Sequence, residues 1–542
     1  MKKKNLIAGI LGLALILAVI FAGCELIDNN ESGGVPDFSV DTEPNATITL
    51  NSNTKYQYVR GFGGMDITWD NFFEISMAEY DKMFNPTQLG FNILRIMINP
   101  IKGRGPNVTP DGLTDEDKKF LHTTDPLDFL NFITSPAGGR PNYYNAVKRV
   151  NSYGGYVLAS PWSPPKAWKA KDSIAGGSLK PEFYENYADY LQIFLQKMNT
   201  EGAPIYAISI QNEPNYDSSK ENYEGCGWSD TALRDFFVHP QYGVGDFTDG
   251  ITGWGGGKAT PRVLIMNGES ANTPTIHDAA MANTTSRDII DLLARHNYGN
   301  VDTPYAYNAD SSLGPRYGKE MWMTEWNKNS GSVSTYPNDS TWNYVWLFLN
   351  DVDLTIRGRN DNAYIWWALK RFYSFIGDGT NNTANGAILP RGYALSHYAK
   401  FAKEKDRIGV TVTGELGGGT TIVAESSGGT NNVNNSNLTQ TSLSVKITGF
   451  MSPDGKEISV VMFTPTNSNA TGSGGFDLGT VRINLPAGFA AAESATAMRS
   501  NAKAMGQMGR VTVQTDENTG NSYAIVNLPR SEILSITFTK KP

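Results

Sequence analysis

Two glutamates close apolar runs 112 positions apart: Glu213 in Tyr206-Ala-Ile-Ser-Ile-Gln-Asn-Glu213-Pro214, and Glu325 in Lys319-Glu-Met-Trp-Met-Thr-Glu325. Each run reads as a buried strand that ends on a carboxylate, and Pro214 punctuates the first of them. Carboxylates placed this way can share one reaction, one protonating a departing oxygen while the other attacks the carbon it leaves. On a sugar acetal this is retaining glycoside cleavage, which requires the two carboxyl groups about 5 to 5.5 Å apart. The acid of such a pair needs a raised pKa, and its negatively charged partner supplies part of that.

Other residues fit around the pair. Asn212, adjacent to Glu213, can hydrogen-bond the 2-hydroxyl of the reacting sugar, a contact that strengthens in the transition state. Arg95, late in Ile93-Leu-Arg-Ile-Met-Ile98, can hold a carboxylate ionised and oriented. Tyr298, in His296-Asn-Tyr298, stands where a hydroxyl could donate to Glu325, whereas His296 reads as a satisfied structural histidine. Trp69, Trp162 and the Trp366-Trp367 pair are candidate sugar platforms; of the last two only one can face inward, because successive residues of a strand alternate. Glu269 is the rival carboxylate, on the strand neighbouring that of Glu213 rather than across from it. Five scattered His and two Cys give no metal-ligand spacing, and Gly255-Gly-Gly-Lys258 is followed by Ala259 where a phosphate loop requires Ser or Thr. No metal and no cofactor are expected.

The elements that must hold these residues alternate in kind. Strand-like runs at Val59–Gly63, Ile93–Ile98, Tyr156–Ala159, Ile205–Ile210, Arg262–Met266, a segment ending on His296, Glu320–Thr324 and Ala363–Trp367 are separated by helical patterns such as Tyr184–Met198. Residues 59–404 therefore read as an α/β fold, a (β/α)8 TIM barrel, and residue separations of this size put Glu213 on the fourth strand and Glu325 on the seventh, facing each other across the mouth. After Lys405 short β-rich runs alternate with Gly, Asn and Ser, so 405–542 reads as an all-β side domain, a β-sandwich, to which 46–58 contributes a strand or two. Residues 417–441 are of low complexity and are given no role.

The formal charge of −8 argues against a nucleic-acid partner, and 11 Trp with 25 Tyr suit the flat faces of sugars. Residues 1–24 read as an export segment, Lys2-Lys-Lys4 before an apolar run that ends at Ala22-Gly23-Cys24. The small residues ahead of Cys24 are similar to a bacterial lipobox, which implies lipidation of Cys24, and 25–45 is polar enough for a disordered tether. The expectation is a monomer whose only membrane contact is the lipid, at the outer membrane or cell surface or facing the periplasm.

Arg60-Gly-Phe-Gly-Gly-Met65, Leu89-Gly-Phe-Asn-Ile-Leu-Arg-Ile96, Ala159-Ser-Pro-Trp-Ser-Pro-Pro165, Ala207-Ile-Ser-Ile-Gln-Asn-Glu-Pro214, Tyr223-Glu-Gly-Cys-Gly-Trp228 and Trp322-Met-Thr-Glu325 together resemble glycoside hydrolase family 30, subfamily 8, the glucuronoxylanases. The resemblance runs from about residue 46 to the C-terminus. It implies a retaining endo-xylanase of β-1,4 links with Glu213 as acid/base and Glu325 as nucleophile. It further implies that Arg371, assisted by Tyr373, grips the carboxylate of a glucuronic acid branch, a task suited to a planar guanidinium. Lys370 competes for that task. Ala368 stands where the subfamily usually has Tyr, and Trp326-Asn327 replaces its His-Tyr pair. The alternatives are the same machinery on unbranched xylan or another β-glycan such as β-1,6-glucan, or a lipoprotein that binds carbohydrate without cleaving it.

Overall fold

The computed structural model describes residues 34–67, 74–98, 143–216, 223–239, 263–271, 274–298, 313–327, 345–414, 416, 421–423, 444–464, 477–529 and 531–542. The export segment with Cys24, Trp69 and nearly all of the 417–441 loop lie outside them.

A first strand, β1 (Ala46–Val59), is followed after one residue by eight parallel strands: β2 (Gly61–Asp66), β3 (Ile93–Ile98), β4 (Tyr156–Pro161), β5 (Ala207–Ser209), β6 (Leu264–Ser270), β7 (Leu292–His296), β8 (Glu320–Glu325) and β9 (Ala363–Trp366). They pair in sequence order and close through β9 onto β2, which makes a barrel. Its lower lumen is apolar, filled by Ile93, Leu158, Ala207, Met266, Leu292, Ala294, Trp322, Ala363 and Ile365. A second apolar layer lies between strands and helices, where Tyr187, Tyr190, Leu191, Phe194, Leu195 and Met198 of helix Tyr184–Thr200 are buried. Close approach is visible at Gly63, where a Cβ would fall 1.7 Å from the Ile93 carbonyl oxygen, so β2 can carry no side chain there.

The rest of the chain forms β10 (Lys405–Gly414), β11 (Thr421–Val423), β12 (Ser444–Met451), β13 (Glu457–Phe463), β14 (Asp477–Asn484), β15 (Ser494–Ser500), β16 (Gln507–Thr512), β17 (Gln514–Thr515), β18 (Ser522–Pro529) and β19 (Ile533–Thr539). With β1 these make one 11-stranded sheet in which β1 lies between β10 and β14. Val481, Ile483 and Val526 from one arm and Val460, Ile536 and Ala497 from the other share a single core, so the sheet folds over on itself. Part of the segment expected to be a tether is pinned to it: Asp37 and Ser39 bridge to Arg510 and Val526, and Phe38 is buried in that core. The physical reason is local, an apolar ring between polar neighbours, one of which pairs with Arg510 at 3.2 Å.

Helix Pro390–Phe401 joins the two parts and is buried on nearly all sides, with proline in its first turn, where its missing N–H costs nothing. It packs on β2 of the barrel and on β13, β15 and β19 of the sheet. At that seam His397 is fully buried, with Nδ1 2.8 Å from Ser535 Oγ and Nε2 2.9 Å from Ser500 Oγ. Burial, helped by Lys400, lowers its pKa from 6.5 to about 3. The unfolded chain takes up this proton below pH 6.5 and the folded chain does not, so the stability His397 contributes is complete above 6.5 and drains as pH falls towards 3. The expected result is that a His397→Gln variant melts below the wild type at pH 7 and that the gap narrows steadily down to pH 4. A gap of constant width across that range contradicts this account.

Candidate active site

Strand parity explains which side chains reach the mouth of the barrel. Ile93 faces the lumen, so Arg95 does too; Leu292 and Ala294 carry His296 inward, and Ala363 and Ile365 carry Trp367 inward while Trp366 packs outside against Trp326 and Phe348. The carboxylates do not follow parity. Trp322 faces the lumen and Met321 and Met323 face the helices, which would turn Glu325 outward; a bulge in β8 instead pairs Glu325 with His296 and rotates it in. Likewise, between the Met266–Leu292 and Glu269–Ala294 pairs two residues of β6 oppose one of β7, with Gly268 at φ +67, and Glu269 turns inward. Glu213, just past β5, has φ 46, a left-handed conformation that costs a non-glycine residue about 1–2 kcal/mol. It is held by its N–H donating to the Glu269 carbonyl at 2.9 Å and by Asn212 N–H donating to the Pro161 carbonyl at 2.8 Å.

Arg95, fully buried, ties these positions together. Its Nη1 donates to Glu325 Oε2 at 2.6 Å, its Nη2 donates to Asn212 Oδ1 at 2.7 Å and lies 2.9 Å from Glu269 Oε2, and its Nε donates to Ser160 Oγ at 3.2 Å. Because Asn212 Oδ1 accepts from Arg95, the amide nitrogen of Asn212 is the end left to donate to a substrate hydroxyl. His296 Nδ1 is 2.9 Å from Glu213 Oε1 and 3.9 Å from Glu325 Oε1, and its Nε2 is 3.8 Å from Glu269 Oε2. One oxygen each of Glu213 and Glu325 and one nitrogen of His296 lie within 4.8 Å of one another. The Glu213 side chain is 13% exposed and that of Glu325 6%, so both border the cleft.

The charges follow from the packing. Burial opposes protonation of His296, but Glu325, Glu213 and Glu269 overcome it and lift the imidazole to about 9. Burial would raise the Glu269 carboxyl, yet Arg95, His296 and Ser160 bring it down to about 2. Glu269 is therefore a permanent anion balancing two cations, not a proton carrier. Burial raises the Glu325 carboxyl above the ordinary carboxylate range; His296 and Arg95 pull against it, and Glu213 adds to it. Glu213, His296 and Glu325 are of the types that ligate metals, and here the imidazole pairs with the carboxylates directly.

Tyr298 is within hydrogen-bonding reach of Glu325, and its hydroxyl is pushed well above 10 by burial and by that carboxylate. Trp367 and Tyr373 are buried beside it, and the Tyr373 hydroxyl meets both Trp367 and Arg371. The Arg371 side chain is 21% exposed at the rim, with Nε 3.9 Å from Asp378 Oδ2. Lys370 points elsewhere, donating to the Glu74 carbonyl at 2.7 Å and pairing with Glu79 at 2.8 Å, which removes it as a competitor. One expectation changes: Trp162 is 1% exposed, with the Arg95 guanidinium 4.8 Å from its ring centre, so it presents no open face to a sugar. Its ring shields the Arg95 charge from below. Sequence reasoning read His296 as structural and gave no part to Tyr223, whose hydroxyl donates to Glu213 Oε2 at 3.4 Å. The parity of His296 with Ala294 is the signal for the first; for Tyr223 the only signal is its place in the Tyr223-Glu-Gly-Cys-Gly-Trp228 motif, which gives it no role.

Residues 141–329, the span that carries β4 to β8 and both Glu213 and Glu325, match the family model described as the glycosyl hydrolase family 30 TIM-barrel domain. The glucuronoxylanase XynC of Bacillus subtilis (strain 168) is 26% identical over 376 residues, 66% of this chain and 70% of that protein. An endo-1,6-beta-D-glucanase of Neurospora crassa is 30% identical over 176 residues, 31% of this chain and 36% of its own. In fold, the subfamily 8 xylanase Xyn30A of Clostridium acetobutylicum superposes with a TM-score of 0.62 at 20% identity, over 91% of this chain and 99% of that one. The carboxylates that two bulges and a strained turn bring to one barrel mouth thus lie in the stretch that matches the barrel domain of glycosyl hydrolase family 30, the family this chain resembles.

Proposed function

We propose that this protein cleaves internal β-1,4 links of glucuronoxylan with retention of configuration, Glu325 acting as nucleophile and Glu213 as acid/base. The observation that carries the reading is the approach of Glu213 and Glu325 oxygens to within 4.8 Å, which suits the short carboxyl separation of retaining enzymes, about 5–5.5 Å, better than the roughly 6.5–9.5 Å of inverting ones. In the first step Glu213 gives its proton to the glycosidic oxygen while a Glu325 oxygen bonds to the anomeric carbon and the leaving sugar departs. In the second, Glu213 takes a proton from water, whose oxygen displaces Glu325 from the same carbon. Arg95 positions the Glu325 side chain and protonated His296 that of Glu213, and the Asn212 amide donates to the 2-hydroxyl.

Specificity rests on Arg371. Its guanidinium is 6.0 Å from the Tyr373 ring centre, and the buried Asp378 holds its stem side so that the charge lies at the rim. The 26% identity to a glucuronoxylanase supports a glucuronosyl branch as the anion it meets. Arg371→Ala is expected to lower kcat/KM on glucuronoxylan about 10- to 100-fold while costing far less on unbranched xylan; equal losses on the two polymers contradict the assignment. A second reading, β-1,6-glucan, is favoured by the identity to the Neurospora enzyme, while Ala368 and Trp326-Asn327 depart from the glucuronoxylanase pattern without pointing to one other glycan. Product analysis on glucuronoxylan beside arabinoxylan and β-1,6-glucan separates the two. The sequence of residues 1–24 supports export and a lipid anchor at Cys24, with the glycan outside the cytoplasm.

A further inference from the structure

Two tyrosines beside Glu213 have no part in the chemistry above. Tyr216 is one of three large apolar side chains exposed among the described residues, at 37%. Its ring centre is 6.5 Å from that of Tyr223 and the two planes differ by 12°, so two nearly parallel rings lead outward from the Tyr223–Glu213 hydrogen bond. The surface is held in place. Tyr216 N–H donates to the Glu213 carbonyl at 3.0 Å, and Trp228 N–H donates to the Pro214 carbonyl at 2.8 Å. Between them the Asn215 side chain accepts from Ala271 N–H at 2.8 Å and donates to Ser270 Oγ at 3.3 Å. An exposed aromatic ring on a turn pinned at four points spends hydration and order in advance, and such rings recur where proteins grip ligands.

Position decides which part of the substrate the surface meets. The acid of a retaining glycosidase touches the oxygen that leaves with the aglycone, so a surface growing outward from Glu213 lies under the leaving sugar. Trp367, Tyr373 and Arg371 cluster instead with Tyr298, the neighbour of Glu325. We infer that Tyr216, with Tyr223 beside it, is the stacking platform for the first sugar on the leaving-group side of the cut. This rests on the assignment of Glu213 as the acid. The same platform receives an incoming sugar at the glycosyl-enzyme stage: the acceptor hydroxyl loses its proton to Glu213, its oxygen bonds to the anomeric carbon, and the ester bond to Glu325 breaks.

The test uses the full chain, with Tyr216→Ala and Tyr216→Phe. The quantity read is the ratio of kcat/KM on xylohexaose, which has sugars on both sides of the cut, to that on β-xylobiosyl fluoride, whose leaving group is one atom. The ratio is expected to fall about tenfold in Tyr216→Ala and to stay within about twofold of wild type in Tyr216→Phe, which keeps the ring. Transfer of the xylobiosyl group from the fluoride to added xylotriose falls with it. A ratio that does not move in Tyr216→Ala, or that falls equally in both variants, overturns the platform. A wild-type enzyme that leaves the fluoride and xylan untouched contradicts the xylan-cleaving reading itself, and the platform with it.

Discussion

Removal of the Glu325 carboxylate in a Glu325→Ala variant is expected to lower kcat on glucuronoxylan by at least about 10⁴-fold, the order seen when a nucleophile is deleted. The variant should fold, because the bulge that presents Glu325 is made by backbone pairing of β7 with β8 and needs no side chain at that position. Its Arg95, no longer paired there, keeps Glu269 and Asn212 as partners. The space opened by the substitution sits beside two cations, Arg95 and His296, and so attracts a small anion. Azide added with an activated β-glycosyl substrate should therefore restore turnover and yield the glycosyl azide of inverted, α configuration. In the wild type, the raised pKa of Glu325 places the acid limb of kcat/KM above the ordinary carboxylate range, because activity needs this group ionised and is lost as pH falls through its pKa. Rescue giving the β azide, or a variant of unchanged activity, contradicts the nucleophile assignment.

A Glu213→Ala variant loses activity in a different pattern. On glucuronoxylan, whose leaving group is a poor sugar alkoxide, the loss should be about 10²–10⁴-fold. On a dinitrophenyl glycoside the first step needs no proton, so it proceeds, and the glycosyl enzyme accumulates because no base activates water. A burst of dinitrophenol followed by slow turnover is the expected trace, and azide should accelerate the slow phase and give the retained, β azide. The strained φ of 46 at position 213 costs alanine at least as much as glutamate, so a Glu213→Gln variant, which keeps the side-chain bulk, is measured beside it. Equal losses on the polymer and on the activated substrate contradict the acid/base assignment.

Regular strands are where the sequence could be read residue by residue. β3 is buried throughout and unbroken, so Arg95 follows from Ile93 by simple alternation, as Trp367 follows from Ile365. The irregular places were harder. Alternation from Trp322 sends Glu325 away from the lumen, and only the register shift against β7 returns it; nothing in Trp322-Met-Thr-Glu325 announces that bulge. Gly268 did carry a signal, since a glycine inside an apolar strand marks a bulge, and it explains why Glu269 meets Arg95. Trp162 shows the opposite difficulty. Its type suits a sugar platform, but exposure is decided by Arg95 lying over it, a contact between strands that no local pattern records. In the sheet, Ser494-Ala-Thr-Ala-Met-Arg-Ser500 has no strand signal of its own, and it becomes β15 because β16 and β19 pair with it on either side.

The assignment of Glu325 as the group that bonds to the sugar is tested most directly by trapping that bond. Incubation of the wild-type chain with 2-deoxy-2-fluoro-β-xylobiosyl fluoride, then digestion and peptide mass analysis, should place one fluoroxylobiosyl group on the peptide carrying Glu325, at its side-chain oxygen. A label on Glu213 or Glu269, or no label on a preparation that hydrolyses xylan, would contradict it.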